Sequence, residues 1–343
     1  MGIRTAMKTP WTRRALLTGA AAAGTTIIVK PVRAADFTFI QYHNQSDTST
    51  LHKNLVAMWE AIRRETNGRV ATTVYSENNK LAAGDPAALK MLIAGEIQFF
   101  TLMGGIIGTV VPMAEVQQVP FAFRSAAEAH KAIDSPLGAY MGEEMAAKGM
   151  YLFPVAGFDN GMRQVTTVAR PVNTPADLAG VKIRVPPGQM IFDTFQAFGA
   201  EPVTTSANLI YDSLKSGKVE AQENPLAILE NFRIYEVVKY VSMTNHMWSG
   251  FNQMAHLATW RGLLEDIKDV ITRNVTTYVR QQRIDQGNVN ASLRDRFAAA
   301  GLVFNEVDQA PFRARLANVY ATWKDKLGSK CWTLLEAEVG KLG

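Results

Sequence analysis

The residues best placed to do chemistry in this sequence are arginines and amides that fall where strands end. In Val181-Lys182-Ile183-Arg184-Val185-Pro186-Pro187-Gly188, alternation puts Val181, Ile183 and Val185 on one face and Arg184 on the other, just before a Pro-Pro-Gly turn. A guanidinium there can face a cleft, solvated while the cleft is empty, and its planar fork matches a carboxylate through two parallel hydrogen bonds. The competing reading is a strand-end arginine paired with a surface acid. Arg163, in Asp159-Asn160-Gly161-Met162-Arg163-Gln164, precedes another strand and offers either a second cation or half of a hinge ion pair. Gln222-Glu223-Asn224-Pro225 ends a strand, and Pro225 suits the first turn of the helix that follows. Asn224 is then placed either to donate to an anion or to cap that helix. Met103, Phe158 and Trp248 lie near the same edges, as an apolar wall or as core packing.

Enzyme motifs are absent. The sequence contains no HExxH, no GxSxG elbow and no GxxxxGK[ST] phosphate loop. Gly104-Gly105-Ile106-Ile107-Gly108 lacks dinucleotide spacing and follows the third strand, where the first is required. The 5 histidines are scattered with no i,i+4 pair, and the 1 cysteine, Cys331, can form neither an internal disulfide nor a thiolate cluster. No cofactor, metal or catalytic residue is expected.

The elements that must position these residues follow from periodicity. A chain of 343 residues, 47% hydrophobic and 20% charged, suffices for about two domains. Phe37 to His43 alternates as a strand; Leu51, Leu55, Met58, Trp59 and Ile62 follow at helical spacing; Val70 to Tyr75 is a second strand. Asp85-Pro86 then caps a helix, and Ile97 to Leu102 is a third strand. A second α/β unit runs from Gln164 through strands at 181–185, 202–205 and 219–222, with helices over 189–198 and 209–215. This alternation predicts mostly parallel sheets in two lobes, with a ligand in the crevice beyond the strands' carboxyl ends. From about Leu263, Leu264, Ile267, Val270, Ile271, Val275, Tyr278 and Val279 mark a long amphipathic helix across the lobes, and 316–323 another.

Charge sorts the partners. The net charge is +5, but the first 34 residues hold Arg4, Lys8, Arg13, Arg14, Lys30 and Arg33 and no acid, so the remainder is near neutral and lacks the electrostatic footprint of a nucleic-acid binder. That leader has a basic start, an Ala/Gly/Thr/Ile stretch from 15 to 29 too short and mild to span a bilayer, and a Val32-Arg33-Ala34 end. It reads as an export signal cleaved after Ala34, and Thr12-Arg13-Arg14-Ala15-Leu16-Leu17 is similar to the twin-arginine motif. The general secretory route is the alternative, and both lead to the periplasm.

Two segments, Thr174-Pro175-Ala176-Asp177-Leu178-Ala179-Gly180-Val181-Lys182-Ile183-Arg184-Val185-Pro186 and the run from Tyr211-Asp212-Ser213-Leu214 to Gln222-Glu223-Asn224-Pro225, resemble the DctP-like substrate-binding proteins of tripartite ATP-independent periplasmic (TRAP) transporters. The resemblance covers essentially the whole chain after the leader. It implies a two-lobed α/β binding protein with β-strand hinges and a long C-terminal helix packed across both lobes. The expected division is 1–34 export signal, 35–159 plus about 250–289 lobe I, and 160–249 plus about 290–343 lobe II. It also implies Arg184 as the carboxylate-binding arginine, Arg163 and Asn224 as further contacts, Asn44 as a strand-end contact of the first lobe, and Met103-Gly104 as the contact loop. Sialic-acid-binding relatives carry an acid where Met103 stands, so a monocarboxylate with an apolar body is favoured, aromatic or branched 2-oxo or 2-hydroxy. The implied partners are that small carboxylate and the small and large membrane permease subunits, with the receptor itself a monomer doing no chemistry. A sensor subunit presenting its ligand to a histidine kinase is the alternative use of the same cleft.

Overall fold

The computed structural model describes residues 35–342; the expected export signal and its cleavage after Ala34 lie outside the described residues. The chain begins β1 (Phe37–His43), α1 (Thr50–Glu65), β2 (Val70–Tyr75), α2 (Gly84–Ala94), β3 (Phe99–Met103), α3 (Gly104–Ile107), a 3-10 segment Pro112–Gln118, α4 (Ala126–Ile133), α5 (Pro136–Ala146) and β4 (Met150–Met162). It continues β5 (Gln164–Thr167), β6 (Lys182–Val185), α6 (Gln189–Ala197), β7 (Glu201–Thr204), α7 (Ile210–Lys215), β8 (Ala221–Asn224), α8 (Leu226–Asn231) and β9 (Tyr240–Met243). The last elements are β10 (Trp248–His256), α9 (Leu257–Arg261), α10 (Glu265–Ala299), β11 (Val303–Glu306), α11 (Ala310–Arg313) and α12 (Ala317–Val339).

Local sequence explains the first unit. Ser49 caps α1 by accepting from the His52 amide, Leu55, Met58 and Ile62 turn inward, and Gly68 at φ 81° takes the left-handed turn into β2. β2 and β3 then pair in parallel on either side of β1, with Phe37 opposite Val70 and Gln41 opposite Phe99. The first sheet has the order β2-β1-β3-β10-β4 and the second β11-β9-β5-β8-β6-β7.

The sheets are mixed rather than mostly parallel. β10 runs antiparallel to both β3 and β4, and β5 antiparallel to both β8 and β9. These antiparallel strands carry the chain between sheets: β4 passes through Arg163 into β5, and β9 passes through residues 244–247 into β10. Where the two passages meet, the Arg163 amide donates to the Met247 carbonyl at 2.8 Å. The pattern of alternation hid β10 because its register against β4 shifts twice, between Ser249 and Gly250 and between Asn252 and Met254.

The long helix behaves as expected except at its start. α10 has 35 residues, about 52 Å at 1.5 Å per residue. Its Ile267, Ile271, Val275 and Val279 belong to the main core, which also holds Leu55 and Phe158, while Leu293 and Phe297 pack in a separate cluster with Leu229 and Val241 of the second unit. Leu264 precedes the helix and is 53% exposed, outside the stripe. α12 packs against α4, α5, α6 and the 3-10 segment Pro112–Gln118. No helix among the described residues is long and apolar enough to cross a membrane.

Candidate functional site

The ends of β3, β6 and β8, the start of α2 and the β4–β5 passage converge on one cavity of about 30 Å³. Met103, Arg163, Arg184, Asn224 and Asn44 all line it, joined by Asp85, Gln45, Asn160, Ile106, Pro186, Ile228 and Phe251. Asn44, Asp85 and Ala207 also border an outer cavity of about 120 Å³ that reaches Glu77, Lys80 and Phe232.

Arg184 is not solvated. It is 2% exposed, and its Nε and Nη2 donate to the Thr205 carbonyl at 3.0 and 2.5 Å. Among the described residues no carboxylate lies within ion-pair distance and Nη1 has no hydrogen-bond partner. Burial pushes its pKa down to about 9; Glu223 and Asp85 counteract that and Arg163 adds to it. The group is still a cation at neutral pH, with a desolvation cost that Glu223 and Asp85 offset only in part and from beyond ion-pair distance.

Arg163 is a different kind of cation. Its Nε and Nη2 grip the Glu223 carboxylate at 2.5 and 2.7 Å, Nη2 also donates to Asn224 Oδ1 at 3.0 Å, and Nη1 reaches Ser249 Oγ at 3.2 Å and Met103 Sδ at 3.5 Å. Burial alone would raise the Glu223 carboxyl, but the Arg163 charge and the bonds from His246 and Arg163 hold it below its usual range. His246 completes the cluster, with Nε2 3.1 Å from Glu223 Oε2, and burial lowers its pKa despite that carboxylate. Arg163 is thus an ion pair at the passage between sheets, with only Nη1 turned from its partner. Asn224 accepts from Arg163 and donates to Gln222 Oε1 at 2.6 Å.

The remaining candidates divide. Asn44 donates to Asp85 Oδ2 at 3.1 Å. Gly104 starts α3, where a Cβ would meet Gln117 Oε1 at 2.4 Å and the Ala114 carbonyl at 2.6 Å, so its bareness serves packing. Phe158 is fully buried opposite Phe251 and does not line the cavity. Trp248 is also off the cavity: its indole donates to Asp159 Oδ1 at 2.8 Å and its ring packs edge-on against Phe123 and His130.

Asp85 is the functional candidate that sequence reasoning missed. Reading Asp85-Pro86 as a helix cap absorbed it, yet α2 begins at Gly84 with Ala83 as its cap residue, and the Asp85 carboxylate accepts from Asn44 and, at 2.7 Å, from Asn78 Nδ2. Burial raises its pKa, partly offset by bonds from Asn78 and Asn44 and by the Arg184 charge. The signal available in the sequence was only an acid beside Pro86 at the start of a helix, in the same expected lobe as Asn44. Among the described residues no group of three His, Cys, Asp or Glu could hold a metal ion.

Two mixed sheets joined by paired strand passages thus converge on a cavity lined by a buried arginine, the arrangement of a two-lobed binding protein. The chain belongs to the DctP family, bacterial extracellular solute-binding protein family 7, whose model matches residues 42–326. A solute-binding protein of Roseobacter denitrificans is 29% identical over 294 residues, 83% of this chain and 88% of its own. The 2,3-diketo-L-gulonate-binding periplasmic protein of Escherichia coli is 30% identical over 208 residues, 60% of this chain and 63% of its own. The crystal structure of a TRAP periplasmic solute-binding protein of Roseobacter denitrificans with bound β-D-glucuronate has a TM-score of 0.83 at 25% identity, covering 89% of this chain and 100% of that one. These proteins are receptors, not enzymes.

Proposed function

We propose that this protein is the periplasmic receptor of a TRAP transporter, that it closes over an organic acid anion clamped by Arg184, and that it delivers the acid to the small and large permease subunits. The observation that carries the reading is a buried arginine, facing a cavity, with no carboxylate within ion-pair distance among the described residues. A ligand carboxylate supplies the missing charge in a site from which water is excluded, so the charge-assisted bonds are strong. Arg163, neutralised by Glu223, acts mainly as a rigid wall that lends one donor through Nη1.

The ligand class follows from the two walls. Met103, Ile106, Ile228 and Phe251 give an apolar side, while Asp85 and Asn44 give an acceptor and an amide opposite. A 2-hydroxy monocarboxylate satisfies both, because its hydroxyl can donate to Asp85. A second carboxylate would meet Asp85 as a like charge. D-Glucuronate and 2,3-diketo-L-gulonate, the ligands of the two relatives named for theirs, are likewise acids with oxygen functions beside the carboxylate. The test is a thermal-shift screen of residues 35–343 with hydroxy, oxo, aromatic, sugar and dicarboxylic acids. Binding to the native state raises the melting temperature by mass action; the hydroxy monocarboxylates shift it most, and an equal shift from succinate contradicts the assignment.

A further inference from the structure

The helix that follows Arg184 is held by a residue of the other unit. α6 has glycine, Gly188, at its N-cap and so no side chain of its own to cap its first amides. Glu115, on the 3-10 segment packed against α3 and β10 of the first unit, supplies the cap: Oε1 accepts from the Gln189 amide at 3.0 Å and Oε2 from the Met190 amide at 2.7 Å. Two glycines make room for this contact. A Cβ on Gly108 would come within 2.1 Å of Glu115 Cγ, and a Cβ on Gly188 would lie 3.2 Å from the Gly105 carbonyl, across the junction of the two units.

We propose that Glu115 is a positioning residue, a latch of the first lobe that grips the start of α6 and thereby keeps the lobe bearing Arg184 closed over the ligand. The proposal rests on the receptor reading above. Arg184 lies on β6 with only the Pro-Pro-Gly turn between that strand and the gripped amides, and Pro186 of the turn and Ile106 of α3 both line the inner cavity. Holding α6 therefore holds one wall of the cavity against the other.

The latch carries a pH signature. The charged groups facing Glu115 are Asp193 of α6, which raises its pKa, and Lys326 of α12, which lowers it; its own segment and α3 contribute none. Burial dominates, and the Glu115 carboxyl is pushed up to about 7 against the bonds from the two amides. An opened lobe returns the carboxyl toward its usual 4.5. The closed form is then the better proton binder, so closure is favoured below about pH 7 and loses that advantage as pH rises through 7.

The test is the interlobe distance by pulsed electron spin resonance, with nitroxides on Val56→Cys and Val168→Cys, both exposed and on opposite units. Wild type, Glu115→Ala, Glu115→Gln and Gly188→Ala are compared at pH 6 and 8, with and without D-glucuronate, alongside the melting temperature of each. We expect the closed-to-open ratio of wild type to rise up to about tenfold from pH 8 to pH 6. Glu115→Ala and Gly188→Ala should lose at least fivefold of the closed population while staying folded, and Glu115→Gln, which keeps one acceptor, should stay closed with a flat pH response. A closed distance absent from wild type, an alanine variant indistinguishable from it, or a Gln variant with the wild-type pH response overturns the latch. Failure of the receptor reading looks different: neither D-glucuronate nor any acid of the thermal-shift screen changes wild type, and the ligand-free comparison still decides the latch.

Discussion

Two arginines of the same type, a strand apart, do opposite things, and their partners decide which. Arg163 has a carboxylate bound through two nitrogens; Arg184 has the Thr205 carbonyl and hydroxyl, and a cavity. Removing Arg184 takes away a desolvated cation that the empty protein compensates only in part. Arg184→Ala should therefore abolish acid binding, by at least a hundredfold in titration calorimetry, while the ligand-free melting temperature holds or rises slightly. Loss of the fold would show instead that the arginine is structural. Glu223→Gln should do the reverse. It strands the Arg163 charge in the interior, and breaking a buried pair this way costs about 3–5 kcal/mol, measurable by urea unfolding; a shift under 1 kcal/mol would mean that water reaches the pair.

The elements that hold these residues depend on close approaches at glycine. At Gly250 a Cβ would come within 2.0 Å of the Trp248 ring, and that ring is locked by Asp159, Phe123 and His130. Gly250→Ala should destabilise the protein by about 1–3 kcal/mol, as overpacking does; thermal melting with an unchanged midpoint would contradict the packing argument. Elements with one clean period were readable without the structure. β1 and β2 alternate, and α2 and α6 open beside Pro or Gly. β4 and β10 were not readable, because bulges and glycines break their alternation; β9 and β11, each four residues like β5 to β8, were missed as well. In the site, the residues seen in advance were those whose types are unusual for their place, such as an arginine in an apolar strand. Asp85 was hidden because an aspartate beside a proline has an ordinary local explanation, and Glu115 because its partner amides lie 74 and 75 residues away.

At the scale of the whole molecule, buried histidines tie stability to pH. His43, beside Asn44, is driven to a pKa of about 3 by burial and by the neighbouring His52, and His246 is lowered in the same direction. For a histidine whose folded pKa lies below its usual 6.5, the unfolded chain takes the proton first, so stability is intact above pH 6.5 and falls as pH drops toward the folded value. At pH 5, His43 alone should cost the fold about 2 kcal/mol relative to pH 7.5. Denaturant unfolding across that range, with His43→Gln showing a shallower decline, checks the assignment; parallel declines in both proteins would refute it.

The most direct measurement of the central claim is a calorimetric titration of residues 35–343, wild type beside Arg184→Lys, with the hydroxy monocarboxylate that gives the largest thermal shift. Lysine keeps the charge and loses the fork, so the account predicts binding in wild type and at least tenfold weaker binding in the variant, with both chains equally stable before ligand is added. Equal affinity in the two proteins would contradict the arginine clamp and with it the account of how this receptor holds its ligand.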